Sequence, residues 1–153
     1  MFTSLFNLFA SITPLSEELK NAIKSSCTID NYEANTYILS PGKVSNKVFF
    51  VYNGLIRSFH YSGDREHTSW IMKENDIMLS VYSFFSQQPA FEYIETMENS
   101  IFISLSYTKL QQLYREFPEF NIIARIITEW YYVQSEARAI ALRQHTAEEG
   151  YKT

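Results

Sequence analysis

The order of apolar and polar positions divides the chain into three parts with different periodicities. Residues 1–28 have apolar positions three to four residues apart, which predicts helices. Residues 29–117 change to the short, alternating apolar runs that are typical of strands and end in a short helix. Residues 118–153 return to a helical spacing, with no Gly or further Pro before Gly150. The pattern therefore predicts a single α+β domain, with N-terminal helices, a central β domain and a long C-terminal helix with a tail.

The N-terminal part contains two predicted helices. The first is a short amphipathic helix whose apolar face, formed by Phe2, Leu5, Phe6 and Phe9, is expected to dock onto the core of its own domain. The second has a start signal, because Thr13 suits the N-cap and Pro14 suits the first helical position. Its predicted buried face carries Leu15, Leu19 and Ile23.

Turn signals separate the strands of the central part. Ser40-Pro41-Gly42 predicts a turn, Asn53-Gly54 predicts a tight hairpin, and Ser62-Gly63-Asp64 predicts a second hairpin. The predicted strands are Tyr37–Leu39, Val48–Tyr52, Leu55–Tyr61, His67–Met72 and Ser100–Ser106. Short strands at this spacing favour a barrel or a sandwich.

Two helices are predicted after the last strand. Ser106 suits the N-cap of a helix over Tyr107–Glu116, and Pro118 prevents a simple continuation of that helix. The long helix that follows has an apolar seam with steps of three and four residues, formed by Ile123, Ile126, Trp130, Val133, Ala137, Ile140 and Gln144. A period of 3.5 residues is typical of helices that pair with each other, so this seam predicts a homodimer interface.

Composition and charge narrow the classes of function. The chain has 153 residues, of which 46% are hydrophobic and 20% are charged, and its net charge is -4. That balance argues against a surface that neutralises nucleic-acid phosphates. The single cysteine, Cys27, excludes an intrachain disulfide and an all-cysteine metal cluster. No secretory signal or membrane-spanning stretch is evident, so we expect a cytoplasmic protein that does not contact a membrane.

Candidate catalytic and metal-binding residues are few. Cys27 has no histidine nearby in sequence, so we expect a packed thiol rather than a nucleophile. His60 and His67 flank a predicted hairpin and are expected to approach each other, but two histidines without a third ligand make a poor metal site. A cupin-like metalloenzyme would need histidines and an acidic residue after the Pro-Gly turn, where residues 45–47 read Ser-Asn-Lys. We therefore predict no catalytic residue, no metal site and no tightly bound cofactor.

The order of elements resembles the effector-binding half of Crp/Fnr-type transcription regulators. The segments that carry the resemblance are Ser40-Pro41-Gly42 and residues 48–57, 74–77, 106–110 and 117–120, and it extends over roughly residues 12–151. The resemblance implies a double-stranded β-helix, or jelly roll, of eight strands. It also implies that the C-terminal helix is the dimerisation helix.

In cyclic-nucleotide-binding members of that family, a phosphate cassette begins with Gly-Glu and ends with Arg followed by Ser or Thr. The matching positions here are Leu79, Ser80, Ala90 and Phe91, and all four depart from that pattern. Ser135 matches the position on the long helix that reaches the purine. The resemblance places a ligand site at these five positions, but without the arginine we expect no tight cyclic AMP binding. The apolar cassette predicts an interior wall that suits a small hydrophobic effector or simply fills the roll.

The family also has a winged helix-turn-helix after the dimerisation helix, and residues 144–153 stop about where it would begin. We therefore expect no specific DNA contact from the chain as given, whether it is a natural sensor or part of a longer regulator. The sequence predicts a ligand-sensing regulatory domain of a Crp/Fnr-type regulator. The alternatives are a cupin-like metalloenzyme and a structural dimerisation module without an effector.

Overall fold

The computed structural model describes the backbone of residues 1–152 and the side chains of residues 1–147. Over residues 1–152 the chain forms five helices and eight strands. The helices are α1 (Thr3–Ala10), α2 (Glu17–Ser26), α3 (Val81–Ser86), α4 (Tyr107–Glu116) and α5 (Pro118–Lys152). The strands are β1 (Thr28–Tyr32), β2 (Tyr37–Leu39), β3 (Lys47–Asn53), β4 (Ile56–Ser62), β5 (Arg65–Met72), β6 (Ile77–Met78), β7 (Tyr93–Thr96) and β8 (Ser100–Ser106).

The strands form two four-stranded antiparallel sheets. Sheet 1 has the order β1-β8-β3-β6, and sheet 2 has the order β2-β7-β4-β5. Strands that are neighbours in sequence mostly lie in different sheets, so the chain winds back and forth between the two layers. The predicted eight-stranded roll with flanking helices and a long C-terminal helix is confirmed.

Sheet 1 separates two apolar cores. Phe49 of β3 and Phe102 of β8 point towards sheet 2 and belong to a cluster between the sheets, which we call the roll core. Phe50 and Ile103, the next residues along the same strands, belong to a cluster beneath the helices, which we call the helix-side core. Both faces of the central strands are therefore buried, which explains why their sequences read as nearly continuous apolar runs.

One predicted hairpin is confirmed and the other is wrong. The Ser62-Gly63-Asp64 turn joins β4 to β5, which pair directly. Asn53-Gly54 does not close a hairpin, because β3 lies in sheet 1 and β4 lies in sheet 2. Gly54 instead has a φ of +124° and passes close to Ser100 of β8. The dipeptide signalled a turn correctly, but a local signal does not specify the sheet that the next strand joins.

The N-terminal helices pack onto the helix-side core. Leu5 and Phe9 of α1 are buried there, as the amphipathic pattern predicted. The predicted start of α2 at Thr13 is wrong, because the backbone N–H of Thr13 still donates to the Phe9 carbonyl at the end of α1. Ser16 is the N-cap, and its hydroxyl accepts a hydrogen bond from the Leu19 backbone N–H at 3.1 Å.

Replacing Ser16 with alanine is expected to lower the free energy of unfolding by about 1 kcal/mol, because the N-cap hydrogen bond is lost. The same hydroxyl donates to the Glu119 carboxylate on α5 at 2.8 Å, and this exposed contact adds little. Thr13→Ala is the matched control and should change stability by less than about 0.5 kcal/mol. Urea unfolding of both variants measures the difference, and an equal cost would contradict the assignment of Ser16 as the cap.

The two C-terminal helices meet at Pro118. Ser106 caps α4 as predicted, since its hydroxyl accepts from the Lys109 backbone N–H at 3.2 Å. Helix α5 then continues from Pro118 to Lys152. Ile123, predicted as the first residue of the seam, is fully buried in the helix-side core of its own chain and cannot also face a partner. Ile123 lies at the border between the predicted seam and the face of α5 that packs on its own chain. The period of the seam does not reveal which of the two its side chain joins.

Candidate functional site

The segment that matches the phosphate cassette connects β6 to β7 and contains α3. We call residues 79–91 the cassette segment. Ser83 is fully buried, and its hydroxyl accepts from the Ser45 backbone N–H at 2.8 Å and donates to the Gln88 carbonyl at 2.6 Å. The Gln87 amide donates to the Ser45 carbonyl at 3.0 Å. The hydrogen bonds of these polar side chains therefore hold the cassette segment to the loop between β2 and β3.

Backbone hydrogen bonds strengthen the same attachment. The Ala90 N–H donates to the Lys43 carbonyl at 2.8 Å, and the Gly42 N–H donates to the Ala90 carbonyl at 2.9 Å. Gly42 adopts a φ of +89°, which explains the glycine of the Pro-Gly turn. The cassette segment is thus held to the loop between β2 and β3 by its own protein contacts.

The four predicted cassette positions do not converge on one pocket. Leu79 is half-buried against the helix-side core, whereas Ala90 is buried in the roll core on the other side of sheet 1. Ser80 is buried, and its carbonyl accepts from the Phe84 backbone N–H at the start of α3. Phe91 is 74% exposed. In this structure the four positions therefore lie on different surfaces, and their assignment to a ligand site stays a prediction.

The predicted aromatic wall also faces largely outwards. Helix α3 buries Ser83 and Phe84, so that the residues on either side of this pair point to the surface. Val81, Tyr82 and Phe85 are exposed, and the Tyr82 ring contacts the Phe91 ring with 5.2 Å between centroids. A short helix can bury only one face, and the sequence did not reveal that this segment is helical.

The cassette segment has no charge to offer a phosphate. Residues 77–91 contain no Lys, Arg, Asp or Glu. Arg57 is engaged on the outer face of sheet 2, where it contacts Glu66 at 3.1 Å and Glu95 at 2.9 Å. The hydrogen bonds that Arg57 donates to Glu66, and to a smaller extent to Glu95, raise the pKa of its guanidinium above the ordinary value. The Arg57 guanidinium carbon also lies 4.1 Å from the Phe59 ring centroid, so this side chain is fixed away from the cassette segment.

Helix α5 covers the end of the roll through two contacts that sequence reasoning missed. The Tyr131 hydroxyl accepts from the Ile77 backbone N–H at 3.1 Å, and burial raises the pKa of this phenol. Arg138 lies 4.1 Å above the Trp70 ring and donates to the Ser69 carbonyl. Tyr131 and Arg138 are seven residues apart, so they occupy the same face of α5. The seven-residue spacing could have indicated a shared contact face, although it does not identify the strands that the face contacts.

The other predicted site residues lie apart from the cassette. Ser135 is exposed, one turn after Tyr131. Cys27 is half-buried, and burial raises the pKa of its thiol to about 12. His60 and His67 pair across β4 and β5 as predicted, with stacked rings whose centroids are 5.3 Å apart. Among the described side chains, no three His, Cys, Asp or Glu residues come close enough together to hold a metal ion.

Known proteins share this architecture. A catabolite activator protein from Thermus thermophilus has a TM-score of 0.72 at 16% identity, over 89% of this chain and 62% of that one. A domain described as cyclic nucleotide-binding from Methylobacillus flagellatus has a TM-score of 0.77 at 15% identity, over 92% and 83% of the two chains. A CooA variant from Carboxydothermus hydrogenoformans has a TM-score of 0.67 at 21% identity, over 93% and 88%. No curated protein sequence matches significantly.

The chain therefore shares its fold with these three proteins, in agreement with the architecture that the sequence resemblance implied. A family model for the cyclic nucleotide-binding domain matches residues 29–117, more than half of the chain. The chain belongs to the cyclic nucleotide-binding domain family. It spans 62% of the length of the Thermus protein. Within the described residues, every helix is too short or too polar to serve as a membrane span.

Proposed function

We propose that the chain is the effector-sensing regulatory domain of a Crp/Fnr-type transcription regulator. Membership of the cyclic nucleotide-binding domain family supports a regulatory sensing role. The fold by itself does not identify the effector, because CooA, which shares it, is described as a CO-dependent transcription factor. In the proposed division, residues 1–28 support the roll, residues 29–117 sense the effector, and residues 118–153 transmit the response.

The observation that carries the ligand assignment is the absence of charge along residues 77–91. A cyclic nucleotide brings a phosphate monoanion into the roll, and removing the cationic partner of a buried anion costs about 3–5 kcal/mol. Each 1.4 kcal/mol is a factor of about ten in affinity, so a micromolar site would become millimolar or weaker. Ser83 and Gln87 offer no substitute, since their side chains already bond to protein. We therefore infer that the domain does not bind cyclic AMP tightly.

Calorimetric titration of the full chain with cyclic AMP and cyclic GMP tests this inference. We expect no saturable heat at nucleotide concentrations up to about 1 mM, because residues 77–91 offer the phosphate no cation to pair with. Thermal unfolding with and without each nucleotide is the parallel control and should show no shift. A dissociation constant in the low micromolar range for either nucleotide would overturn the assignment.

Helix α5 supports a homodimer, because it has a second apolar stripe that its own roll does not cover. Trp130 is 46% exposed and Val133 is 65% exposed, and Ile140 follows on the same line. The stripe contains Ile126, Trp130, Val133, Ala137 and Ile140, and its centre lies about 130° around the helix from Tyr131 and Arg138. The ion pairs Arg125–Glu129 (3.0 Å) and Glu136–Arg143 (3.6 Å) border the stripe on its other side. An apolar stripe with charged flanks is the pattern of paired helices.

The two faces of α5 provide a path from the roll to the dimer. One face is held to the roll by Tyr131 and Arg138, and the other is available to a partner helix. A change in the roll that moved β5 or β6 would move α5, and would alter the angle between the two helices of the dimer. A domain attached after α5 would be reoriented by that change.

The proposed role is binding rather than catalysis. The Cys27 thiol stays protonated at neutral pH, because its pKa is about 12, so it is a poor nucleophile. His60 and His67 contact each other in the described structure without a third metal ligand beside them. These observations favour a sensing domain over the cupin-like metalloenzyme.

A further inference from the structure

A cavity of about 120 Å³ lies within the helix-side core. It is on the opposite side of sheet 1 from the roll core, and is therefore separate from the place where the family fold would receive a nucleotide. All five helices and sheet 1 contribute to its walls. Its lining includes Phe9 of α1, Ile23 of α2, Phe84 of α3, Ile103 of β8, Leu113 of α4 and Ile127 of α5.

The lining determines which ligand chemistry the cavity accepts. No charged side chain lines it, and its polar side chains are Cys27, Tyr114 and Thr128. Burial raises the pKa of both the Cys27 thiol and the Tyr114 phenol, which shows that this region disfavours charge. A carboxylate, phosphate or ammonium group would lose its hydration there without gaining a partner. The cavity therefore selects an uncharged, apolar molecule.

The size of the cavity limits the ligand further. Protein cavities of about 150 Å³ lined by Leu, Ile and Phe stay dry and bind benzene or xenon. The exposed lining residues Phe85 and Thr128 mark where this cavity meets the surface, between α3 and α5. We propose that the cavity is a binding site for a small uncharged apolar molecule of about the size of benzene, which enters between α3 and α5.

Such a ligand would touch the cassette segment and α5 at the same time. Leu79 and Phe84 line the cavity from one side, and Ala124 and Ile127 line it from the other. Occupancy would fill space between these walls and favour the arrangement in which both contact the ligand. The proposed site lies outside the roll core, so the proposal does not depend on whether the roll binds a nucleotide.

Toluene is the probe for this site, and benzoate is its charged counterpart. At a concentration about tenfold above its dissociation constant, toluene is expected to raise the melting temperature of the full chain by about 3–6 °C. In methyl NMR spectra it should shift the signals of Leu79, Ile103 and Ile127, and leave those of Met72 and Ile94 in the roll core unchanged. Benzoate should do neither.

An Ala124→Leu variant should fill the cavity and abolish the toluene effect. Ala10→Leu is the matched control, because Ala10 is exposed and does not line the cavity, and it should keep the full effect. Methyl shifts confined to the roll core, equal responses of both variants, or no response of the unmodified chain to toluene would overturn the proposal. The NMR map of the unmodified chain decides the matter if Ala124→Leu does not fold. Cyclic nucleotide binding is measured separately, so the two proposals fail independently.

Discussion

A Trp130→Glu variant is expected to sediment as a monomer at concentrations where the unmodified chain sediments as a dimer. Trp130 lies at the centre of the exposed α5 stripe, between Ile126 and Val133. In a symmetric helix pair the substitution removes two indoles and places two carboxylates within one apolar seam. Central aromatic residues of an interface often contribute 2 kcal/mol or more each, so dimer affinity should fall by at least about a hundredfold. Sedimentation velocity across a dilution series measures this change.

Tyr132→Glu is the control for the same helix. Tyr132 is 71% exposed, but it lies about 160° around α5 from Trp130 and outside the stripe. This variant should therefore remain a dimer with nearly unchanged affinity, while its added charge matches that of Trp130→Glu. A dimer that tolerates Trp130→Glu, or an unmodified chain that is monomeric at about 100 μM, would contradict the proposed interface.

Replacing Gly54 with alanine is expected to cost about 3 kcal/mol of stability and to lower the melting temperature by about 6–12 °C. Two effects add. The φ of +124° is unfavourable for a residue with a Cβ, and that Cβ would lie 2.5 Å from Ser100 Cβ and 2.7 Å from Ser100 Cα. Relief requires movement of β8, which is the central strand between β1 and β3. Thermal and urea unfolding measure the loss.

Gly63→Ala separates the two effects. Gly63 also has a positive φ, of +66°, but no atom lies within 4 Å of the Cβ position. This variant has backbone strain without a collision and should lose only about 1 kcal/mol. Equal losses at Gly54 and Gly63 would show that the close approach to Ser100 does not contribute.

Much of the fold could be predicted from the sequence, because local periodicity and turn chemistry agree with the final structure. Helix α4 begins at Tyr107, after its N-cap Ser106, and α5 begins at Pro118, where capping and proline geometry leave little choice. The hairpin at Gly63 also follows from its local sequence. The connection at Gly54 does not, because a positive φ permits both a hairpin and a crossing between sheets.

The arrangement of the site was harder to predict. Departure from the cassette pattern was visible at Leu79, Ala90 and Phe91, but their positions on three different surfaces depend on how α3 and β7 pack. The cavity in the helix-side core was not predictable, since it arises where all five helices and a sheet fail to fill the space between them. Voids depend on the fit of distant side chains, and sequence periodicity does not contain that information.

Each of the two tryptophans of the chain is associated with a different face of α5. Trp70 contacts the roll-facing side through Arg138 and Tyr131, whereas Trp130 is part of the open stripe. Emission from Trp70 thus reports whether the helix is seated on its own β layer, and emission from Trp130 reports whether a second helix covers it. The fluorescence of the two tryptophans therefore follows two separate steps of the proposed signal, the seating of α5 on its roll and the pairing of α5 with a second helix. Replacing one tryptophan with phenylalanine isolates the emission of the other.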